Sequence, residues 1–164
     1  MTKRRRPQHG AGFTLIELLI VVAIIGILAN ILIPSLLGAL MKARVQSIVG
    51  DYQVLRHAVH EYYVDTGEYP RDRGAGRVPP ELEPYLQDRL AFGWRSGYRY
   101  DWENWMRDGG PTARAGRLGT LRGFSVRARA RDHPILKAIE RHYDGELVVR
   151  RRFVTFIMEP YKKP

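Results

Sequence analysis

One carboxylate lies inside the longest apolar segment of the chain. Between Phe13 and Met41 the only charged residue is Glu17. A carboxylate is costly to place where the neighbouring residues suit a lipid bilayer, and such groups in membrane helices usually serve a function. The chemistry that a lone carboxylate offers there is the binding of a positive charge or of a hydrogen-bond donor. Glu17 is therefore the first candidate functional residue.

A short acidic cluster in the C-terminal half of the chain is the second candidate site. It consists of Asp101, Glu103 and Asp108, with Asn104 among them. Carboxylate and amide oxygens are calcium ligands, but this spacing matches no calcium-binding loop template. We name the three acids as metal-site candidates, expect an ordinary polar loop, and predict no bound metal and no other cofactor.

Residues typical of catalytic sites are sparse. His57 and His60 are three residues apart and precede Glu61, which is not the His-Glu-x-x-His order of zinc peptidases. The chain has no cysteine, no glycine-rich phosphate loop and no Gly-x-Ser-x-Gly motif. We therefore predict no catalytic residue, and the protein is not expected to be an enzyme.

The residues around Glu17 are ordered as a basic leader followed by a membrane helix. Residues 3–6 read Lys-Arg-Arg-Arg, and the apolar residues 13–33 would form a helix about 31 Å long. That length matches a bilayer core of about 30 Å, and the basic flank predicts a cytoplasmic N-terminus. An ordinary secretory signal is cut after its apolar region, whereas the candidate cut at Gly12 precedes it. The mature chain is therefore expected to keep its anchor.

Residues 12–17, Gly-Phe-Thr-Leu-Ile-Glu, resemble the processing motif of type IV pilins and of type II secretion pseudopilins. Pro34 within the helix and the Tyr69-Pro70 pair after it are also similar to that family. The motif is specific, because a basic leader, Gly-Phe, a glutamate at the fifth position after the cut and an apolar run must all coincide. The resemblance is close over residues 1–70 and vague beyond them.

The resemblance implies how the chain is processed and assembled. In that family a membrane peptidase cuts after the residue that matches Gly12 and methylates the new amine, here on Phe13. Roles in assembly are implied for Thr14, Glu17 and Pro34. Processed subunits polymerise into helical filaments with the N-terminal helices in the core. The implied partners are other copies of the chain, the prepilin peptidase/methyltransferase, an inner-membrane assembly platform, other pilins, and the lipid bilayer before assembly.

A register-setting role for Glu17 follows from this resemblance. Cleavage would place a positive α-amine on Phe13, within reach of Glu17 on a staggered neighbouring helix. The two charges attract strongly in a low dielectric, but desolvation offsets much of that gain. Setting the register between subunits is therefore the favoured role, since a misplaced neighbour leaves the carboxylate unpaired. The alternative is that Glu17 pairs with lipid headgroups or with its own N-terminus.

The chain as a whole predicts a pilin-like α+β fold. We divide it into a basic leader at residues 1–12, a long helix at 13–65 with the transmembrane segment 13–33, and a globular periplasmic head at 66–164. Pro34 is expected to kink or locally melt the helix. Beyond the membrane, an apolar stripe recurs every three to four residues and is expected to pack on the head. Its members are Leu37, Met41, Val45, Ile48, Tyr52, Leu55, Val59 and Tyr62.

The head is predicted to be a three- or four-stranded antiparallel sheet with two helices. The predicted elements are helices at 78–90 and 135–143 and strands at 98–102, 124–131 and 147–158. Asp132 is the expected cap of the second helix. Alternation along 124–131 predicts Phe124, Val126, Ala128 and Ala130 facing the core and the intervening residues facing solvent. Residues 71–77 and 108–119 are expected to be loops.

Aromatic and basic residues are concentrated in the head. Trp94, Tyr98, Tyr100, Trp102 and Trp105 are expected to fill its core, with a subunit-contact or substrate-binding surface as the alternative. The formal net charge is +10. A basic face can bind nucleic acid through phosphates, but a solvated face that protects a sheet edge is favoured. The arginines concerned are Arg114, Arg117, Arg122, Arg127, Arg129, Arg131, Arg150, Arg151 and Arg152.

Two functions are therefore compared. The favoured one is a structural subunit of a type II secretion pseudopilus or a type IV pilus-like filament. The alternative is a membrane-tethered binding module whose basic head holds nucleic acid or another anionic ligand. The protein is expected in a bacterial inner membrane as a single-pass chain, with its N-terminus cytoplasmic and its head periplasmic, and then in an envelope-spanning or extracellular filament.

The absence of cysteine favours a major-pseudopilin-like subunit. Many pilus-forming pilins close a C-terminal loop with a disulfide, from which this chain departs. The major pseudopilins carry a calcium site in a loop of the head, and here only the acidic cluster could supply it. The sequence leaves open the choice among a secretion pseudopilus, a surface pilus and a DNA-uptake filament.

Overall fold

The structure, a computed structural model of the chain, describes residues 12–86, 90–107 and 110–160. The leader expected at residues 1–12 lies outside this part except for Gly12, and Asp108 lies outside it as well. Internal contacts divide the chain into two compact units, Met1–Leu40 and Met41–Pro164.

One long helix, α1, spans Leu15–Thr66 and confirms the predicted N-terminal helix. The helix continues through Pro34, which therefore does not melt it, because a proline removes only one of its many hydrogen bonds. At the C-terminal end Gly67 adopts a φ of +74°, and its N–H donates to the carbonyl of Tyr63 at 2.8 Å. A glycine in this left-handed conformation satisfies a terminal carbonyl and ends the helix.

The apolar stripe of α1 is buried from Val45 onwards. The fully buried residues of the helix are Val45, Ile48, Tyr52, Leu55, Ala58 and Val59. The Tyr52 ring centroid lies 5.0 Å from that of Phe156 and 6.2 Å from that of Phe124. Leu37, which was predicted in the same stripe, is exposed, since it precedes the part of the helix that has packing partners. Each large apolar side chain buried here contributes about 1.5–3 kcal/mol.

The head contains a four-stranded antiparallel sheet, as predicted. Its strand order is β1-β4-β6-β5, and a separate two-stranded hairpin pairs β2 with β3. The strands are β1 (Tyr98–Asn104), β2 (Met106–Arg107), β3 (Gly110–Pro111), β4 (Thr120–Ala128), β5 (Leu147–Arg150) and β6 (Phe153–Pro160). Phe124 pairs with Trp102 of β1 and with Phe156 of β6, so the three central strands place aromatic rings side by side in the core.

The predicted final strand at 147–158 is wrong as a single element. It is a hairpin in which β5 turns at Arg151 and Arg152 into β6, and Arg150 pairs with Phe153. The carbonyls of the turn residues accept hydrogen bonds from the backbone N–H groups of Asp132 and Ala128, each at 2.8 Å. The turn is therefore held by neighbouring backbone and needs neither Gly nor Pro, which is why the sequence gives no turn signal.

One predicted loop and one predicted helix also need correction. The segment expected to be a loop at 108–119 contains helix α3, Ala113–Leu118, which ends at Gly119 with a φ of +71°. In the segment expected to be helical at 78–90, a 3₁₀ turn at Pro80–Leu82 leads into a short α2 at Glu83–Leu86, and Leu90 is not helical. Residues 87–89 lie outside the described part of the chain.

Helix α4, Pro134–His142, confirms the predicted helix but not its cap. The N-cap is His133, whose Nδ1 accepts a hydrogen bond from the N–H of Ile135 at 3.3 Å. Asp132 has a φ of +53° and belongs to the preceding turn, so its carboxylate is not the cap. Ile135 and Ile139 of α4 join the same core as α1 and the sheet.

The second face of the sheet is more buried than the alternation predicted. Ser125 is fully buried, and its hydroxyl lies 2.6 Å from that of Thr155. Arg127 is partly buried and paired with acids of β1. Ala130, expected in the core, is exposed because β4 ends at Ala128. The polar residues of β4 are buried because they pair with one another or with neighbouring strands.

Candidate functional site

The first turn of α1 places the sequence candidates together. The carboxylate Oε2 of Glu17 accepts hydrogen bonds from the backbone N–H and the hydroxyl of Thr14, both at 2.8 Å. The N–H of Glu17 in turn donates to the Thr14 hydroxyl at 3.2 Å. This reciprocal arrangement is a capping box, in which a threonine and a glutamate three residues later satisfy otherwise unpaired backbone groups. The Thr-x-x-Glu spacing is the sequence signal from which the capping box could have been predicted.

The capping box fixes one oxygen of Glu17 and leaves the other accessible. Both Thr14 donors bind Oε2, and among the hydrogen bonds of the described residues none reaches Oε1. The negative end of the side chain lies at the N-terminus of a long helix, where the helix dipole favours an anion. The geometry therefore presents a preoriented acceptor directly beside Phe13, on which the predicted new amine would lie.

The packing of the chain does not explain Gly12. A Cβ built at this position would meet no atom within 4 Å, and no left-handed φ is found there. A small residue is therefore not required by the described structure. Phe13, the next residue, is 84% exposed. Both residues are exposed, as the predicted cut between them requires.

The apolar part of α1 is exposed on all sides. Leu15, Ile20, Ile27 and Ile33 are all more than half exposed, and no residue of the most apolar window is buried. A helix that is apolar all round is normally covered by a membrane or by other helices. By length and composition, α1 is the one helix among the described residues that could cross a membrane. Pro34 follows the predicted transmembrane segment 13–33 and lies in the same exposed part of α1.

The acidic cluster of the head holds an arginine. The Nε of Arg127 on β4 donates to Asp101 at 2.5 Å, and its Nη2 donates to Glu103. Both carboxylates are on β1 and almost completely buried. Burial raises the pKa of Asp101 to about 7, with a further contribution from the Glu103 charge, against the opposing effect of Arg127. Asp108, the third acid named from the sequence, lies outside the described residues.

The two carboxylates do not fit a calcium ion as they stand. Calcium takes six to eight oxygen ligands, whereas here a guanidinium occupies the space between the acids. Within the described part of the chain, no group of three or more His, Cys, Asp or Glu residues is arranged to hold a metal. Arg127 was not predicted as the partner of these acids, although alternation along β4 places it on one face of a neighbouring strand.

The histidines of α1 are exposed on the helix surface. His57 and His60 line a groove of about 480 Å³ together with Arg56, Tyr69 and Trp102. Arg122 lies in the same groove, pairs with Glu159, and places its guanidinium 3.6 Å from the centre of the Tyr69 ring. The groove holds no nucleophile with an adjacent base, so it does not resemble a catalytic site.

The nine arginines named from the sequence divide into two groups. Arg122 and Arg127 are paired with acids, and Arg129 stacks 4.9 Å over Trp94, so these three are not a free basic face. The remaining six line one open hollow of about 910 Å³: Arg114, Arg117, Arg131, Arg150, Arg151 and Arg152. None of the six forms an ion pair with another described residue.

The aromatic residues fill the core, as predicted, with one exception. Tyr98, Tyr100, Trp102 and Trp105 are buried, and the indole N–H of Trp102 donates to the carbonyl of Pro70 at 3.0 Å. This bond fixes the chain where it leaves α1. Trp94 is 46% exposed, because it is covered only by the guanidinium groups of two arginines.

Comparison with known proteins supports the N-terminal resemblance. Residues 8–31 match the family model described as the prokaryotic N-terminal methylation motif. The chain is also 41% identical over 69 residues to the type IV major pilin protein PilE1 of Neisseria gonorrhoeae, which covers 42% of this chain and 32% of the pilin. No solved structure shows significant similarity to the chain.

Several relatives share a single name, type II secretion system core protein G. The protein from Klebsiella michiganensis is 39% identical over 90 residues, covering 51% of this chain and 63% of the relative. The chain thus spans less than two thirds of that relative. The protein from Escherichia coli strain K12 is 42% identical over 106 residues, covering 57% of this chain and 73% of the relative. The chain therefore belongs to the family of the type II secretion system core protein G.

Proposed function

We propose that this chain is a structural subunit of a pilin-like filament and that its place is in a type II secretion pseudopilus. The observation that carries the proposal is the fully exposed apolar part of α1, which begins with a preoriented carboxylate at Glu17. A filament core built of such helices would cover the apolar surface after it leaves the membrane. The family of the chain and its methylation motif support the same function.

Processing is proposed to prepare the assembly site. Cleavage between Gly12 and Phe13 leaves Thr14 and Glu17 in place, so the capping box can persist in the mature chain. The new, methylated amine of Phe13 carries a positive charge, which the accessible Oε1 of a neighbouring Glu17 can accept. Because the interior of a helix bundle has a low dielectric, an unpaired carboxylate there is costly, and the correct stagger is selected.

The partners and location follow from this mechanism. The prepilin peptidase/methyltransferase acts on residues 12 and 13, and an inner-membrane assembly platform with other pilins receives the processed chain. Before assembly, residues 13–33 span the inner membrane with the head in the periplasm. The only covalent chemistry on the chain is its own processing. The comparisons give no support to the alternative of a tethered binding module.

The test is to locate the chain and its N-terminus in cells that carry the native secretion system. Sheared filaments and the cell envelope are separated, and the N-terminal peptide is identified by mass spectrometry in each fraction. We expect a chain that begins at methylated Phe13 in envelope-associated filaments. A processed chain abundant in long extracellular fibres would instead indicate a pilus, and a chain that keeps residues 1–12 in both fractions would refute the filament function.

A matched pair of variants tests the role of Glu17. Glu17→Gln keeps the shape of the side chain but removes its charge, so we expect processing and membrane insertion with loss of cross-linkable filaments. Glu61→Gln makes the same change at an exposed position of the same helix and should assemble as the wild type does. Normal assembly of Glu17→Gln would show that the carboxylate does not set the register.

A further inference from the structure

The acids of β1 and the arginine of β4 form a closed ion cluster inside the head. Asp101 and Glu103 are two residues apart on one strand, so their side chains share one face of the sheet. Arg127 reaches both from the adjacent strand and uses a different guanidinium nitrogen for each acid. Each contact is a charge-assisted hydrogen bond, which is stronger than a bond between two neutral groups.

The surroundings hold the guanidinium in this position. The guanidinium carbon of Arg127 lies 4.8 Å from the centre of the Phe153 ring. Phe153 is on β6, which borders β4 on the side opposite to β1. Asp101 and Glu103 are only 3% and 1% exposed. Asp72, in the segment after α1, also acts on Asp101: its negative charge opposes the ionisation of the Asp101 carboxyl. Arg127 supplies a positive charge that acts in the opposite direction and favours the ionised form of Asp101.

We propose that Arg127 is a built-in counter-ion which makes the fold of this head independent of calcium. The resemblance to major pseudopilins implies a calcium site in the head, and the candidate acids that lie within the described residues, Asp101 and Glu103, do not fit one. Two of the four carboxylate oxygens of the pair accept bonds from Arg127, and Asp101 Oδ1 is buried without a partner among the described residues. The oxygen shell that calcium needs is not assembled there.

The cluster has a consequence that distinguishes an arginine from a metal ion. A bound metal is lost to a chelator, and its stabilising effect depends on the free metal concentration. An arginine is always charged and cannot be removed, so the stability of the head is fixed by the sequence. The inference concerns folding of the head and does not depend on filament assembly.

The experiment compares unfolding of the purified full chain in detergent micelles with excess EDTA and with excess calcium chloride. Tryptophan fluorescence reports on the head, since Trp102 is buried next to Asp101. We expect the same unfolding midpoint in both conditions. A midpoint that falls in EDTA and recovers with calcium would overturn the proposal.

Three variants and a binding probe complete the test. Arg127→Met should lower the midpoint, Arg127→Lys should lower it less because one ammonium group keeps the charge, and Arg131→Gln, at an exposed position, should leave it unchanged. Terbium, a calcium substitute whose emission is excited through tryptophan, should bind weakly or not at all to the wild type. Saturable terbium emission from the wild-type head that calcium displaces, or an unchanged midpoint in folded Arg127→Met, would refute the role of Arg127.

Discussion

Substitution of Asp101 with asparagine is expected to remove part of the pH dependence of the stability of the head. The Asp101 carboxyl is buried beside Glu103, which raises its pKa from an ordinary value of 3.8 to about 7. A carboxyl whose pKa is higher in the folded state binds protons more tightly when folded. Its contribution to stability is therefore complete below the unfolded pKa and is lost as the pH rises through the folded pKa.

The magnitude follows from the pH interval. Between about pH 5 and about pH 7 the folded state holds a proton on Asp101 that the unfolded state has released. Each pH unit lowers the free energy of unfolding by up to about 1.4 kcal/mol, and by about half of that near pH 7, where Asp101 is half ionised in the folded state. This gives about 2 kcal/mol over the interval. Asparagine cannot ionise, so Asp101→Asn lacks this loss, while Glu103 continues to pair with Arg127.

The assay is urea denaturation of the full chain in detergent micelles, followed by tryptophan fluorescence at both ends of that pH interval. For each protein we take the difference in unfolding free energy between the two pH values. The quantity of interest is how much larger this difference is in the wild type than in Asp101→Asn. Asp144→Asn, at an exposed position, is the control and should follow the wild type. The same pH dependence in Asp101→Asn and wild type would refute the assignment of this titration to Asp101.

Two further substitutions test the close packing of β4 on β6 at Gly123 and the cap of α1 at Thr14. Gly123→Ala places a Cβ 2.5 Å from the methyl carbon of Thr155 and 2.7 Å from the carbonyl oxygen of Phe156, and we expect a loss of about 1–3 kcal/mol of stability by urea denaturation. Gly93→Ala, which meets no atom within 4 Å, is its control, and equal stabilities would contradict the close packing of β4 on β6. Thr14→Val removes the capping hydroxyl and should destabilise the first turn of α1 by about 1 kcal/mol. We expect faster amide hydrogen exchange in this turn in Thr14→Val than in the wild type, and wild-type rates in the control Thr14→Ser. Equal exchange rates in the three proteins would refute the cap.

Local signals were sufficient for the elements with strong periodicity. The spacing of Val45, Ile48, Tyr52 and Leu55 predicted which side of α1 is buried, because a helix repeats every 3.6 residues whatever packs on it. The β-branched and aromatic residues of β4 and β6 likewise predicted strands. The prediction failed at the turn between β5 and β6, since that turn is held by backbone N–H groups of residues distant in sequence.

The sequence by itself determined the N-terminal half of this protein. A basic stretch, the Gly12-Phe13 pair, a single acid and an apolar segment follow one another along the chain. A helix keeps near neighbours in contact, so residue spacing is enough to place Glu17 beside Thr14. Only the tertiary structure decided the character of the acids in the head. Asp101 and Glu103 could have served a metal, and it is the pairing of β1 with β4 that brings Arg127 between them. Strand pairing joins residues far apart in the sequence, and the register that selects them depends on the packing of the whole sheet.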